Sequence, residues 1–168
     1  MYIETELEEV RLLINNHEWD KALGRIIELK AKRLVRFSDN DQALMNFYLV
    51  YALYFKRANE KFSGLSASEN YFQINEMDKL CDLVIGRMPE FYKAWFLRGL
   101  ILERKAYAMM DLKGCFAPIE ITDIFNLSLS CLREARRLKN EHDELIDGKT
   151  KVAKAARAMF ATLRKDYL

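Results

Sequence analysis

Met88-Pro89-Glu90-Phe91-Tyr92-Lys93-Ala94-Trp95-Phe96-Leu97-Arg98-Gly99-Leu100-Ile101-Leu102 decides how the chain is read. Pro89 stops one helix, because its ring and missing N–H do not fit a helix interior. A second helix opens shortly after it, with an aromatic near its start and Gly99 four residues beyond Trp95. An interior glycine costs a helix about 1 kcal/mol relative to alanine. A helix that keeps one calls for close approach by a neighbouring helix. The stretch therefore reads as the seam of a helical hairpin, with Trp95 and Gly99 as packing devices.

The rest of the sequence extends this reading. The chain has 168 residues, 51% hydrophobic and 12% aromatic, enough for a sizeable core in one domain or one short repeat array. Two prolines and six glycines leave the elements long, and no useful run alternates as a strand does. The expected class is all-α. The net charge of +2, from 27 basic and 25 acidic residues, is not the overall footprint of a nucleic-acid binder. Residues 1–20 carry Glu4, Glu6, Glu8, Glu9, Glu18 and Asp20 against Arg11 alone. Residues 21–36 carry Lys21, Arg25, Lys30, Lys32, Arg33 and Arg36 against Glu28 alone. Opposite charge on adjacent helices favours their pairing, and cations suit a helix C-terminus. Cys81, Cys115 and Cys131 are odd in number and form no CxxC, so reduced thiols in the cytoplasm are expected. The acidic N-terminus lacks the apolar run of a signal peptide, and no apolar window is long enough for a membrane span.

Seven helices are predicted. The first, about 2–14, turns Ile3, Leu7, Val10, Leu13 and Ile14 to one face. Asn16 is the expected N-cap of the second, about 18–36, which should bury Trp19, Ala22, Leu23, Ile26, Ile27, Leu29, Leu34 and Val35. Ser38-Asp39-Asn40-Asp41 caps the third, about 41–59. That helix carries Phe47, Tyr48, Tyr51, Tyr54 and Phe55 on more than one face and so belongs in the centre. Ser66 and Glu69 form a capping box for the fourth, about 67–87, which should turn Phe72, Ile74, Met77, Leu80, Cys81, Val84 and Ile85 inward. Gly86 and Pro89 are expected to end it. The fifth runs from about 91 towards 112, and Gly114 to Ile121 reads as a loop. Thr122-Asp123 opens the sixth, about 123–139, with Ile124, Phe125, Leu127, Leu129, Leu132, Ala135 and Leu138 buried. The last, about 142–166, uses Leu145, Val152, Ala155, Ala156, Met159, Phe160 and Leu163, with Gly148 as its weak point.

The unit resembles the tetratricopeptide repeat, a helix–turn–helix of 34 residues. The likeness is carried by Pro89, Ala94-Trp95 and Gly99, by Trp19 with Ala22 and Ile26, and by Phe125 with Ser128, Leu132 and Ala135. A looser version is Ile74, Met77, Cys81 and Val84. Enlarged turns at about 63–68 and 113–121, and glutamates on the first helix, depart from the family's spacing. The resemblance implies an α-α superhelix of about three antiparallel hairpins, 2–36, 41–87 and 91–139, with a C-terminal capping helix at 142–166. It also implies a concave groove, built mostly from the first helix of each pair, that holds a partner protein or peptide. Carried onto this chain, the groove pattern falls on Leu7, Arg11, Tyr48, Phe55, Lys93, Phe96, Leu100 and Glu103. Arrays of this size also resemble bacterial secretion chaperones, which hold an extended partner segment.

Signals for chemistry are weak beside this. His17 and His142 each fall at a helix boundary without a second ligand at helical spacing, so no metal site is expected. HExxH and GxSxG are absent. Gly148-Lys149-Thr150 ends like a phosphate-binding loop, but Asp143 stands where the first glycine belongs. Glu4 and Glu8 share a face that nothing desolvates. No enzyme and no cofactor is expected. The alternative is a nucleic-acid-binding or regulatory helical protein using Lys30-Ala31-Lys32-Arg33-Leu34-Val35-Arg36 and the basic face of the last helix, Lys149, Lys151, Lys154, Arg157, Arg164 and Lys165. A homo-oligomer is compatible with either reading.

Overall fold

A computed structural model describes residues 3–31, 37–114, 118–139 and 144–166. The described residues form seven α-helices and no strand: α1 (Ile3–Asn15), α2 (Trp19–Ala31), α3 (Asp39–Asn59), α4 (Ala67–Arg87), α5 (Tyr92–Lys113), α6 (Pro118–Lys139) and α7 (Glu144–Asp166). The expected all-α class is thus observed. The predicted continuation of α2 through 32–36, with Leu34 and Val35, lies outside the described residues. So do Cys115, His142 and the side chains of Leu145, Ala156, Met159, Phe160 and Leu163.

Two helix starts follow the sequence closely. Ser38 accepts the Asp41 N–H while the Asp41 carboxylate accepts from the Ser38 N–H at 3.1 Å. Ser66 and Glu69 repeat the arrangement, with the Ser66 N–H donating to Glu69 at 2.9 Å. Each box satisfies N–H groups that the first helical turn leaves without partners.

Other boundaries differ from expectation. Asn16 does not cap α2: its N–H closes α1 onto the Leu12 carbonyl at 3.0 Å, and the Glu18 carbonyl accepts the Ala22 N–H at 2.9 Å. The chain turns at His17, in left-handed backbone with φ 60°. Gly86 does not end α4. It stays helical, and Met88 is the C-cap, with φ −131° and its N–H on the Val84 carbonyl at 2.8 Å. Pro89 drives the residue before it out of the helical region, so the stop falls at Met88. The start of α6 is Pro118, not Thr122-Asp123. A proline suits the first helical position, where its missing N–H has no partner to lose. The added turn places Ile121 with Phe125, Ala106 and Met109 in one buried cluster. Helix α7 runs unbroken through Gly148.

Consecutive helices pack in chain order, and α5 with α6 form the most extensive pair. The odd-numbered helices also adjoin one another: α1 meets α3, α3 meets α5, and α5 meets α7. One core cluster joins α1, α2 and α3 around Val10, Ile26 and Ala52. A second joins α3, α4 and α5 around Val50, Cys81, Val84 and Ile101. Helix α3 belongs to both, as its apolar residues on several faces require. Five side chains expected inside are outside: Phe72 is 64% exposed, Ile27 62%, Val152 49% and Leu127 44%, and Ala155 is exposed as well. Each lies beyond the part of its helix's apolar stripe that the neighbouring helices cover.

Two devices fix α5. A Cβ on Gly99 would stand 2.7 Å from Leu132 Cδ2 and 2.8 Å from Cγ, so α6 occupies the space a side chain would need. Ser128 on α6 donates to the Gly99 carbonyl at 2.8 Å in the same seam. On the α4 side, buried Asp78 accepts from Arg98 Nε at 3.0 Å and Lys105 Nζ at 2.8 Å. Trp95, partly buried, donates its indole N–H to the Pro89 carbonyl at 2.8 Å and so ties the helix to the turn that precedes it.

Candidate groove

A cleft of about 680 Å³ is bordered by α1, α3, α5 and α7. Leu44, Tyr48, Tyr51 and Phe55 fall on one face of α3 by helical spacing, and all four line the cleft. Arg11, Ile14 and Asn15 come from α1. Lys93, Phe96, Leu97 and Leu100 form a stripe on α5, next to Phe91 and Tyr92 at its start. Ile146 is the contribution of α7. The rings hold one another in place. Tyr51 and Phe55 lie 4.5 Å apart, Phe47 meets Phe91 edge-on at 4.8 Å, and Trp19 stacks behind Phe55 at 6.0 Å. Rigid aromatic faces present contact area at little cost in side-chain entropy.

Both charged side chains of the described lining are cations, and one of them is already paired with a carboxylate beside the cleft. Arg11 and Lys93 line it, and no acidic side chain does so among the described residues. Arg11 hydrogen-bonds Glu8 on its own helix. Lys93 is exposed and makes no ion pair with a described residue. Burial pushes the phenols of Tyr48 and Tyr51 above the usual tyrosine range, with Arg11 partly offsetting the effect at Tyr48. Both hydroxyls therefore stay protonated and can donate hydrogen bonds. At the start of α5, Phe91 supplies no side-chain cap.

Six of the eight residues expected in the groove line this cleft: Arg11, Tyr48, Phe55, Lys93, Phe96 and Leu100. Phe96 has a second role, since it packs against Leu129 and Leu132 of α6 and Ala153 of α7. Leu7 sits one turn before Arg11 but is 6% exposed and belongs to the core of α1, α2 and α3. Glu103 lies one turn beyond Leu100 on α5, outside the cleft lining and half-buried. Desolvation raises its carboxyl above the usual range, with Lys149 partly offsetting this. Leu44 and Tyr51 could have been found by continuing the spacing of Tyr48 and Phe55. Ile146 had no such signal, because its place depends on how α7 folds back.

Elsewhere the chemistry is structural. Among the described residues no group of three or more His, Cys, Asp or Glu side chains is placed to hold a metal ion. Desolvation pushes the Cys81 and Cys131 thiols up to about 12 and about 11, which keeps them protonated and unreactive. No described helix is long and apolar enough to cross a membrane. Comparison with protein-family models, with curated proteins and with solved structures finds no match to this chain.

Proposed function

We propose that the chain is a non-enzymatic interaction scaffold whose cleft holds a segment of a partner protein, in the manner of a tetratricopeptide-like array. The observation that carries this reading is the described cleft lining: seven aromatic rings from α3, α5 and the Phe91 that precedes α5, and two cations, with no carboxylate among them. Aromatic anchors in a desolvated groove supply most of the affinity in protein interfaces. Rim cations such as Lys93 add selection for acidic partners. Contact between successive odd-numbered helices supports the repeat reading, because first helices adjoin one another in such arrays.

Lys93→Ala tests it. The side chain is exposed, so thermal stability should stay within about 0.5 kcal/mol of the parent. Capture from host extract, read by mass spectrometry, should lose the partners that the parent retains. An unchanged set of partners removes the groove assignment. The exposed Lys151, Lys154 and Arg157 of α7 support the nucleic-acid alternative. Steep loss of binding with added salt would favour that alternative, whereas capture in the apolar cleft should depend on salt only weakly.

A further inference from the structure

On α3, Leu53, Lys56 and Arg57 fall on the side opposite Tyr48, Tyr51 and Phe55. They line a second groove, of about 450 Å³, that opens away from the cleft. Leu23 of α2 borders it on one side, and Phe72 and Leu80 of α4 on the other. Ile27 lies one turn beyond Leu23, and Leu83 one turn beyond Leu80, so both stand on the same surface. Phe72, Ile27 and Leu83 are the most exposed large apolar side chains among the described residues, at 64%, 62% and 61%. Single apolar side chains on a surface are ordinary, whereas a group of them around one groove marks an interface.

The shape and charge of this face indicate what covers it. Phe72 borders the groove and also a second hollow of about 470 Å³, formed with Leu65, Ser68, Glu69 and Gln73. A projecting aromatic ring and the hollows that could receive such a ring therefore sit side by side on one surface. That combination is self-complementary, as the surface patch of a two-fold dimer has to be. The charges are balanced: Lys56 pairs with Asp20, Arg57 with Glu60, and Glu76 with Lys79. Two copies meet there without net repulsion, and a strongly charged partner finds nothing to select it. Three adjacent helices at 8–10 Å spacing and the 11 residues from Phe72 to Leu83 give the face an outline of about 20 by 17 Å. This suits the apolar core of an interface that buries about 800 Å² per partner, with the paired charges as its polar rim.

We propose that this face is the two-fold interface between two copies of the chain, with Phe72 of each copy seated in a hollow beside Phe72 of the other. Both cleft openings stay free, because the two surfaces lie on opposite sides of α3.

Sedimentation equilibrium of the full chain tests the proposal. The parent should form dimers at or below about 1 mM. Phe72→Glu should weaken the dimer about thirtyfold or more, as loss of a central aromatic anchor does. At low concentration it should melt as the parent does, because the Phe72 side chain lies mostly outside the core. Leu83→Glu, on the same face, should act in the same direction. Phe72→Lys should also yield monomers, and mixing it with Phe72→Glu should restore dimers, since the two-fold axis sets the opposite charges side by side. Lys93→Ala, in the cleft, should leave the dimer unchanged. A parent that stays monomeric at about 1 mM, a dimer indifferent to Phe72→Glu, or a mixture that stays monomeric would overturn the proposal. A host protein captured by a monomeric parent and lost with Phe72→Glu would overturn it too, by giving the face to a different partner.

Discussion

Gly99 has no side chain, and Leu132 fills the space where one would begin. Leu132 is fully buried and has little room to withdraw. Gly99→Leu should therefore destabilise the protein by about 2 kcal/mol or more, read as a lower urea midpoint. Glu103 makes a different demand. Burial raises its folded pKa, so its neutral form suits the folded state better. For a group raised on folding, the stability contributed is fully present below the ordinary glutamate value, about 4.3. It is lost as pH rises through the folded value, and the charged form is a cost at neutrality. Glu103→Gln should raise the melting temperature at pH 7, with the gain fading towards about pH 4. Partial exposure and the nearby Lys149 limit the gain to at most about 1 kcal/mol.

Among the elements, α5 takes part in the most interactions: with α4 through Asp78, with α6 through Gly99, and with the cleft through its Lys93–Leu100 stripe. Asp78 is 7% exposed and serves two cations. Removing it leaves Lys105 without an ion pair among the described residues and Arg98 with Asp82 alone. Asp78→Ala should cost about 3 kcal/mol in thermal or chemical denaturation. Because α5 sets the position of Lys93 and Phe96, the binding proposed for the cleft should weaken with it. The helices themselves were legible in the sequence, because caps such as Ser38 and Ser66 act through residues three positions away. The start of α6 was misread because Thr122-Asp123 is also a good cap. Burial of Ile121 against α5 decided in favour of Pro118, and that contact is tertiary.

For the molecule as a whole, contacts run mostly between neighbours in the chain, most extensive for α5 with α6 and much less so for α1 with α2. Local opening follows local contact density. Amide hydrogen exchange should therefore find the greatest protection in the middle of α5 and α6 and the least in α1. Equal protection throughout would contradict this gradient. The sequence by itself determined seven helices and the close approach at Gly99. It also marked out the aromatic and cationic residues of one broad surface, because helix spacing and capping are local. Only the tertiary structure decided that Leu7 turns into the core, that Phe72 and Ile27 face outward, and that Ile146 returns to complete the cleft. Which part of an apolar stripe is covered depends on the neighbouring helices that reach it, and their placement is set by packing between segments far apart in the chain.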